Sequence, residues 1–337
     1  MITPIYVIVL NWNGWQDTLE CIESVYNTNY ANTRVVVCDN DSEDNSLEYI
    51  KKWADGLIDI KGLYNPIQTN RKIMYCELTI DQICTTNNYL DYSLTLIKCG
   101  SNLGYAGGNN VGIRYAYSVN SEANILILNN DTVISTDFIS RAMELIGGQE
   151  ISKLALLGFP AYDFYDRNKI QAIYVKEHWL KGPIGVQKVG KIESKSKAFL
   201  VPSILGHAML ITQYSPFKEI PEDYFLYLEE SEFCYMIRKA GGKIAVNIDN
   251  KVYHKHSKTV GKESITQLYY FNRNHLFYML KNRSFLVFLV FFILKTLIII
   301  KKVVIYYYKG EVDRANTLIK GYCDFLSGTR GRKKDLV

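Results

Sequence analysis

Proline, histidine and blocks of like charge are all scarce in this chain. Its 337 residues hold 7 Pro and 5 His and no low-complexity tract, a composition that excludes a largely disordered protein. The net charge is only +5, with Arg330, Arg332, Lys333 and Lys334 supplying much of it. That is too little for nucleic-acid binding, so no nucleic-acid partner is expected, but it suits an anionic membrane surface. The seven cysteines (Cys21, Cys38, Cys76, Cys84, Cys99, Cys234 and Cys323) form no CxxC pair and no metal-ligand spacing. Several lie in apolar runs and read as reduced core residues of a protein facing the cytosol. The first residues lack a basic region, and their apolar run is too short for a signal peptide, so none is expected. Neither GxGxxG nor a P-loop occurs, which leaves dinucleotide-cofactor and Walker-type readings without support.

What is present is folded α/β sequence. Apolar residues make up 48% of the chain and tyrosine alone contributes 26 residues, a side chain suited to sugars and polar ligands but equally to ordinary cores. Short apolar runs at 5–10, 34–38, 94–97 and 125–128 read as buried parallel strands. Trp15, Leu19, Ile22 and Val25 fall at helical spacing after the first, giving the β-loop-α-β start of a right-handed parallel sheet. Residues 62–93 lack clean periodicity and read as an irregular insertion. Further strands are expected at 154–157, 198–201, 208–212 and 243–248.

The polar ends of these strands carry the candidate chemistry, because ligands of open α/β sheets gather at carboxyl ends. The run at 125–128 ends in Asn129-Asn130-Asp131-Thr132, where one carboxylate suits a hard divalent cation. The glycine-rich stretch from Asn102 to Gly112 lets backbone approach a ligand and opens a helix whose free N–H groups favour an anion. Phe233, Met236, Ile237 and Ala240 mark a helix stopped by Gly241-Gly242. Glu229, Glu230 and Glu232 crowd its first turn. This is helix-dipole compensation on the simplest view, or a partly buried base on the sharper one.

In order along the chain stand Asn11-Trp12-Asn13, Val37-Cys38-Asp39-Asn40, Asn102-Leu103-Gly104-Tyr105-Ala106-Gly107-Gly108-Asn109-Asn110, and Leu128-Asn129-Asn130-Asp131-Thr132. Gly206-His207-Ala208-Met209-Leu210, the aromatic-acidic stretch 225–238, Val252-Tyr253-His254 and Tyr269-Tyr270-Phe271-Asn272-Arg273-Asn274 follow. Each piece is weak, but the ordered series, over roughly the first 280 residues, resembles glycosyltransferase family 2, in particular its bacterial rhamnosyltransferase-like branch. The resemblance implies a GT-A fold: an α/β, mostly parallel sheet flanked by helices. It further implies inverting transfer of a sugar from a dTDP- or UDP-type nucleotide-diphosphate donor to a saccharide or lipid-linked acceptor in surface polysaccharide synthesis.

Residue by residue, the resemblance gives Asp39 the pyrimidine base. It places Asn11, Asn13, Asn102, Gly104, Asn109, Asn110, Asn129 and Asn130 on the nucleotide sugar, with Asn109 where many relatives carry Arg. Asp131 matches the last acid of the metal motif, Asn129 stands where the first acid would be, and His254, with His256 as rival, lies near an Mg²⁺ or Mn²⁺. Glu230 matches the second acid of a Glu-Asp pair and is the expected base, with Glu229 the alternative. Gly206, His207, Tyr227, Arg273 and Asn274 fall to the acceptor or phosphate side. A catalytically silent sugar-nucleotide-binding or assembly protein, and a nucleotidyltransferase, are the other readings.

Residues 1–258 are expected to form the transferase domain, divided near 135, and residues 259–337 a helical appendage ending in a basic, mobile tail. Its segment 285–308 would be about 36 Å long as one helix, enough to cross a bilayer. Lys295, Lys302 and Lys309 form a stripe beside Lys301, which favours a helix lying in the interface over one that spans. We therefore expect a peripheral or monotopic protein on the cytoplasmic face of the membrane, touching it through 285–309. Homo-oligomerisation is left open.

Overall fold

Residues 4–58, 72–83, 92–148, 151–187, 197–255, 264–334 and 336 are described by the computed structural model. Alternation along the strands decides the layering. In β1 (Ile5–Asn11), Ile5, Val7 and Val9 enter one core while Tyr6 and Ile8 enter another. In β2 (Thr33–Asp39), Val35 and Val37 part from Val36 and Cys38 in the same way. A strand buried on both faces must be apolar at every position, which is why these segments read as continuous runs.

Helices α1 (Trp15–Tyr26) and α2 (Ser46–Ala54) cover the first face. Strand β3 (Tyr75–Thr79) is the sheet edge, beside β4 (Leu94–Lys98). Helix α3 (Gly104–Val119) crosses the second face to β5 (Asn124–Asn129). After β6 (Thr132–Ile134), α4 (Phe138–Gly147) and β7 (Leu154–Gly158) come β8 (Ala161–Asp163) and β9 (Ile170–Ala172). The hairpin β10 (Tyr174–His178) and β11 (Gly182–Gln187) precedes β12 (Ala198–Leu200) and β13 (Ala208–Ile211). Helix α5 (Glu229–Lys239), β14 (Lys243–Asn247) and β15 (Val252–His254) complete the α/β part. Helices α6 (Ile265–Asn282), α7 (Phe285–Tyr308) and α8 (Val312–Leu326) follow.

The main sheet runs β12-β14-β7-β13-β5-β1-β2-β4-β3. It is parallel from β5 through β3, while β13 is antiparallel to both neighbours. A smaller sheet, β6-β15-β8-β9, stands beside it. From β1 the chain leaves through α1 toward β2, whereas β5 arrives through α3 on the opposite side. The order therefore reverses between β1 and β5, and the crevice opens at their carboxyl ends.

Three expectations change here. The insertion at 62–93 includes the edge strand β3, whose mixed burial hides any period; residues 59–71 and 84–91, with Cys84, lie outside the described residues. Two glycines of α3 are required by packing, and one of them, Gly104, also lines a pocket of the cleft. A Cβ on Gly108 would stand 2.3 Å from Leu10 Cδ1, and one on Gly104, at φ +74°, would stand 2.3 Å from Phe225 O, so both positions need glycine for packing. Finally, Lys295 and Lys302 share the side of α7 that carries the buried Phe288, Phe291 and Ile299. The outward side holds Leu286, Ile293, Leu297 and Val304, with Lys301 among them. Lys295 and Lys302 therefore face the body of the protein, while Lys309, at the end of the helix, is exposed.

Candidate functional site

Asn11 and Asp39 end adjacent strands and meet directly: Asn11 Nδ2 donates to Asp39 Oδ1 at 2.8 Å and to Ser42 Oγ at 3.0 Å. Thr18 donates to Asn11 Oδ1 at 2.6 Å, and Ser42 N–H donates to the other Asp39 oxygen at 3.2 Å. Asn13, at φ +50°, accepts from Glu43 N–H at 2.7 Å and braces the same loop from an exposed position. Across the cleft, Asn102 Oδ1 accepts from Asn40 Nδ2 and from Gly104 N–H, both at 3.0 Å. Tyr105 N–H donates to Phe225 O at 2.9 Å. The first amides of α3, expected to await an anion, are thus engaged within the protein.

Asn109 and Asn110 are fully buried. Asn109 donates to Tyr105 O at 2.9 Å, and its Oδ1 finds no partner among the described residues. Asn110 exchanges hydrogen bonds with the backbone of Ile220 at 2.7 and 2.9 Å. Asn110 thus pins α3 to the 220 segment, while Asn109 bonds within its own helix; neither is among the residues lining the two pockets described next.

Those pockets join into one cleft. One side, about 220 Å³, is lined by Trp12, Asn40, Asn102, Gly104, Asn129 and Asn130 among others, residues that the sequence reading put largely on the nucleotide sugar. The deeper side, about 580 Å³, is lined by Gly206, His207, Tyr227, Glu229, Glu230 and His254 among others. Tyr105, Asn129 and Leu226 belong to both. Asn130 is steered by Thr18 Oγ1 at 3.1 Å, and the Asn129 amide donates to His207 O at 2.9 Å.

Asp131 follows β5 and meets His254, the last residue of β15, with Oδ1 and Nε2 3.2 Å apart. Thr132 of β6 pairs with His254 in the small sheet, so strand register makes the meeting. The His207 ring stacks on His254 with centroids 5.5 Å apart. Burial would raise the Asp131 carboxyl, but the hydrogen bond and charge of His254 outweigh it and hold Asp131 below its usual range. One oxygen and one nitrogen ligand fit a divalent cation that completes its shell from phosphates and water. Among the described residues no group of three or more His, Cys, Asp or Glu is arranged as a metal cluster. His256 lies outside the described residues.

Glu229 and Glu230 open α5 from a strained turn. Phe225, Tyr227 and Leu228 have φ of +66°, +67° and +77°, a left-handed conformation costing roughly 1–3 kcal/mol for each non-glycine residue. Asn274 holds the turn by donating to the carbonyls of Tyr224, Leu226 and Tyr227 at 3.0, 2.7 and 3.1 Å. Arg273, fully buried, donates to Tyr224 O at 3.1 Å and lies over the rings of Tyr269 and Tyr270. These two residues, assigned by sequence to the acceptor or phosphate side, hydrogen-bond the turn's backbone, and their part is to present the carboxylates.

Burial pushes Glu230 up to about 7, and burial together with the charge of Glu230 raises Glu229 well above its ordinary value. Glu229 Oε2 has no hydrogen-bond partner among the described residues. Glu232 differs: it accepts from Tyr224 hydroxyl at 2.9 Å and pairs with Lys281 at 3.1 Å, which ties α5 to α6.

Two site residues escaped the sequence reading. Trp12 is 46% exposed in the smaller pocket, and Tyr105 bridges the pockets with its hydroxyl donating to Gly206 O at 2.5 Å. An aromatic residue left exposed between polar neighbours was the available signal for Trp12.

Comparison with known proteins agrees with this architecture. The low-salt glycan biosynthesis hexosyltransferase Agl10 of Haloferax volcanii is 27% identical over 201 residues, 54% of this chain and 58% of that protein. The mannosyltransferase PcManGT of Pyrobaculum calidifontis, solved with GDP-Man and Mn²⁺, superposes with a TM-score of 0.54 at 12% identity, covering 97% of this chain and 88% of that one. GalNAc-T7, solved with UDP, GalNAc and Mn²⁺, gives 0.51 at 13% identity, covering 75% and 44%. The chain thus has a GT-A-like fold, and its residues 6–72 match the model of glycosyl transferase family 2.

Proposed function

We propose that this protein is an inverting glycosyltransferase that moves a hexose from a nucleotide-diphosphate donor to a saccharide or lipid-linked saccharide. The observation that carries the reading is the shared cleft: Glu229 and Glu230 line the same space as His254, with Asp131 against it, while the nucleotide side opens beside Asn102 and Asn129. Family-model and hexosyltransferase similarity support it. Glu230, poised near 7 by burial, accepts the proton of the acceptor hydroxyl. The acceptor oxygen then bonds to the anomeric carbon while the bond to the diphosphate breaks on the opposite face, inverting the centre. One base suffices, unlike the two carboxylates of glycoside hydrolysis. Mg²⁺ or Mn²⁺, held by Asp131 and His254, would offset the charge growing on the diphosphate. Assaying the full chain against UDP-, dTDP- and GDP-sugars, with Mg²⁺ or Mn²⁺, is expected to reveal transfer or donor hydrolysis for at least one sugar. Silence across that panel would contradict the reading.

We further propose that the protein sits on the cytoplasmic face of a membrane through α7. Phe285 and Leu286 are 72% and 73% exposed, and the outward side continues with Leu289, Ile293, Leu297 and Val304, far more apolar surface than a soluble face normally shows. Among the described residues no helix is long and apolar enough to cross a membrane, which favours in-plane contact.

A further inference from the structure

The basic segment expected to be mobile is docked. After α8, residues 328–334 return across the 224–228 turn. Gly331 N–H donates to Asp223 O at 3.0 Å, and its carbonyl accepts from buried Arg273 at 3.0 Å. Lys333 N–H donates to the Tyr270 hydroxyl at 2.8 Å, and its ammonium pairs with Asp324 at 3.0 Å. Leu336 packs against Phe225, Tyr269 and Tyr270. Residue 332 is therefore fixed from both sides by backbone bonds at 331 and 333. From that position the Arg332 guanidinium reaches Asn102 O at 3.4 Å, on the wall of the nucleotide-side pocket.

The charge around the cleft gives this cation a task. Glu229 and Glu230 line the deeper side together with Lys169, and among the described residues lining the nucleotide-side pocket none is a cation. The first α3 amides are engaged by Asn102 and Phe225. A nucleoside diphosphate entering here therefore meets no cationic side chain among those described lining residues unless one is supplied from outside the α/β part. A guanidinium has five N–H donors, in a fork that matches phosphate oxygens.

Resting on the donor reading above, we propose that Arg332 is a donor-binding residue, carried by the 328–334 strap to the nucleotide-side mouth of the cleft to hold the diphosphate. Hydrogen bonds to charged groups of this kind make about a tenfold difference in affinity.

The test uses the full chain with Mg²⁺ and compares wild type with Arg332→Ala, Arg332→Lys and Arg330→Ala. Arg330 pairs with Asp223 at 3.1 Å and lies over Phe277, so it controls for strap docking. UDP, dTDP and GDP are titrated beside uridine, thymidine and guanosine. Arg332→Ala is expected to weaken diphosphate binding about tenfold, to raise donor KM correspondingly with little change in kcat, and to leave nucleoside binding unchanged. Arg332→Lys should recover only part, because a single ammonium cannot reproduce the fork, and Arg330→Ala should bind as wild type. Unchanged diphosphate affinity in Arg332→Ala, or equal weakening for nucleoside and diphosphate, overturns the assignment while leaving the donor reading intact. A wild type that binds none of the diphosphates overturns both.

Discussion

Glu230 shows how burial alone can shift a carboxyl toward neutrality. Its carboxyl, raised to about 7 by burial, is protonated below that pH and cannot accept a proton. Transfer rate is therefore expected to climb between pH 6 and 8 with an apparent midpoint near 7, read from kcat against pH. Glu229 is raised by burial and by Glu230 itself, so the midpoint describes the pair. A flat profile between pH 6 and 8 would remove Glu230 from the base role. Asp131 moves the other way: His254 outweighs burial and keeps it ionised, the state a cation requires. Asp131→Ala should abolish the dependence of donor turnover on added Mg²⁺ or Mn²⁺, with activity falling at least about a hundredfold. Retained activity with an unchanged metal titration would exclude Asp131 as a ligand.

At the scale of elements, the site depends on how the turn before α5 is restrained. Three left-handed residues persist because Asn274 takes three of the turn's carbonyls and Arg273 reaches the same backbone. Asn274→Ala is expected to cost about 2–4 kcal/mol in denaturant unfolding and to lower kcat more than donor affinity, because the carboxylates lose their support. A stable, fully active variant would show that the turn holds itself. This pairing also marks where sequence reading stops. The buried strands were legible because β1, β2 and β5 are apolar at successive positions. Strands β6 and β15, which bring Asp131 to His254, span three residues each, too short for any period. The roles of Arg273, Asn274 and Asn110 were not legible either. A buried polar side chain serving a distant backbone leaves the same letters in the sequence as one facing a ligand. The glycines of α3 were legible as a demand for close approach, but the partners turned out to be Leu10 and Phe225.

Across the whole molecule, the appendage and the cleft are one construction. Helix α6 supplies Arg273 and Asn274 beneath the turn, α7 packs on it through Phe288 and Phe291 with Phe325 of α8, and the following strap brings Arg332 to Asn102. The outward side of α7, facing away from Phe288 and Ile299, is exposed and apolar, the surface proposed above to meet a bilayer. Leu286→Glu together with Leu297→Glu is expected to abolish co-sedimentation with anionic phospholipid vesicles while leaving far-UV circular dichroism unchanged, since both side chains are exposed. Unaltered sedimentation would place the contact elsewhere. Lys295→Leu is expected to matter less for vesicle binding, because that lysine faces the protein. The account turns finally on whether the Glu230 carboxylate performs the chemistry. Glu230→Gln keeps the shape and removes the base, so the decisive measurement is sugar transfer by this variant, with donor binding measured in parallel. Loss of transfer by about a thousandfold or more with near wild-type donor affinity is the predicted result. Transfer at near wild-type rate would contradict it.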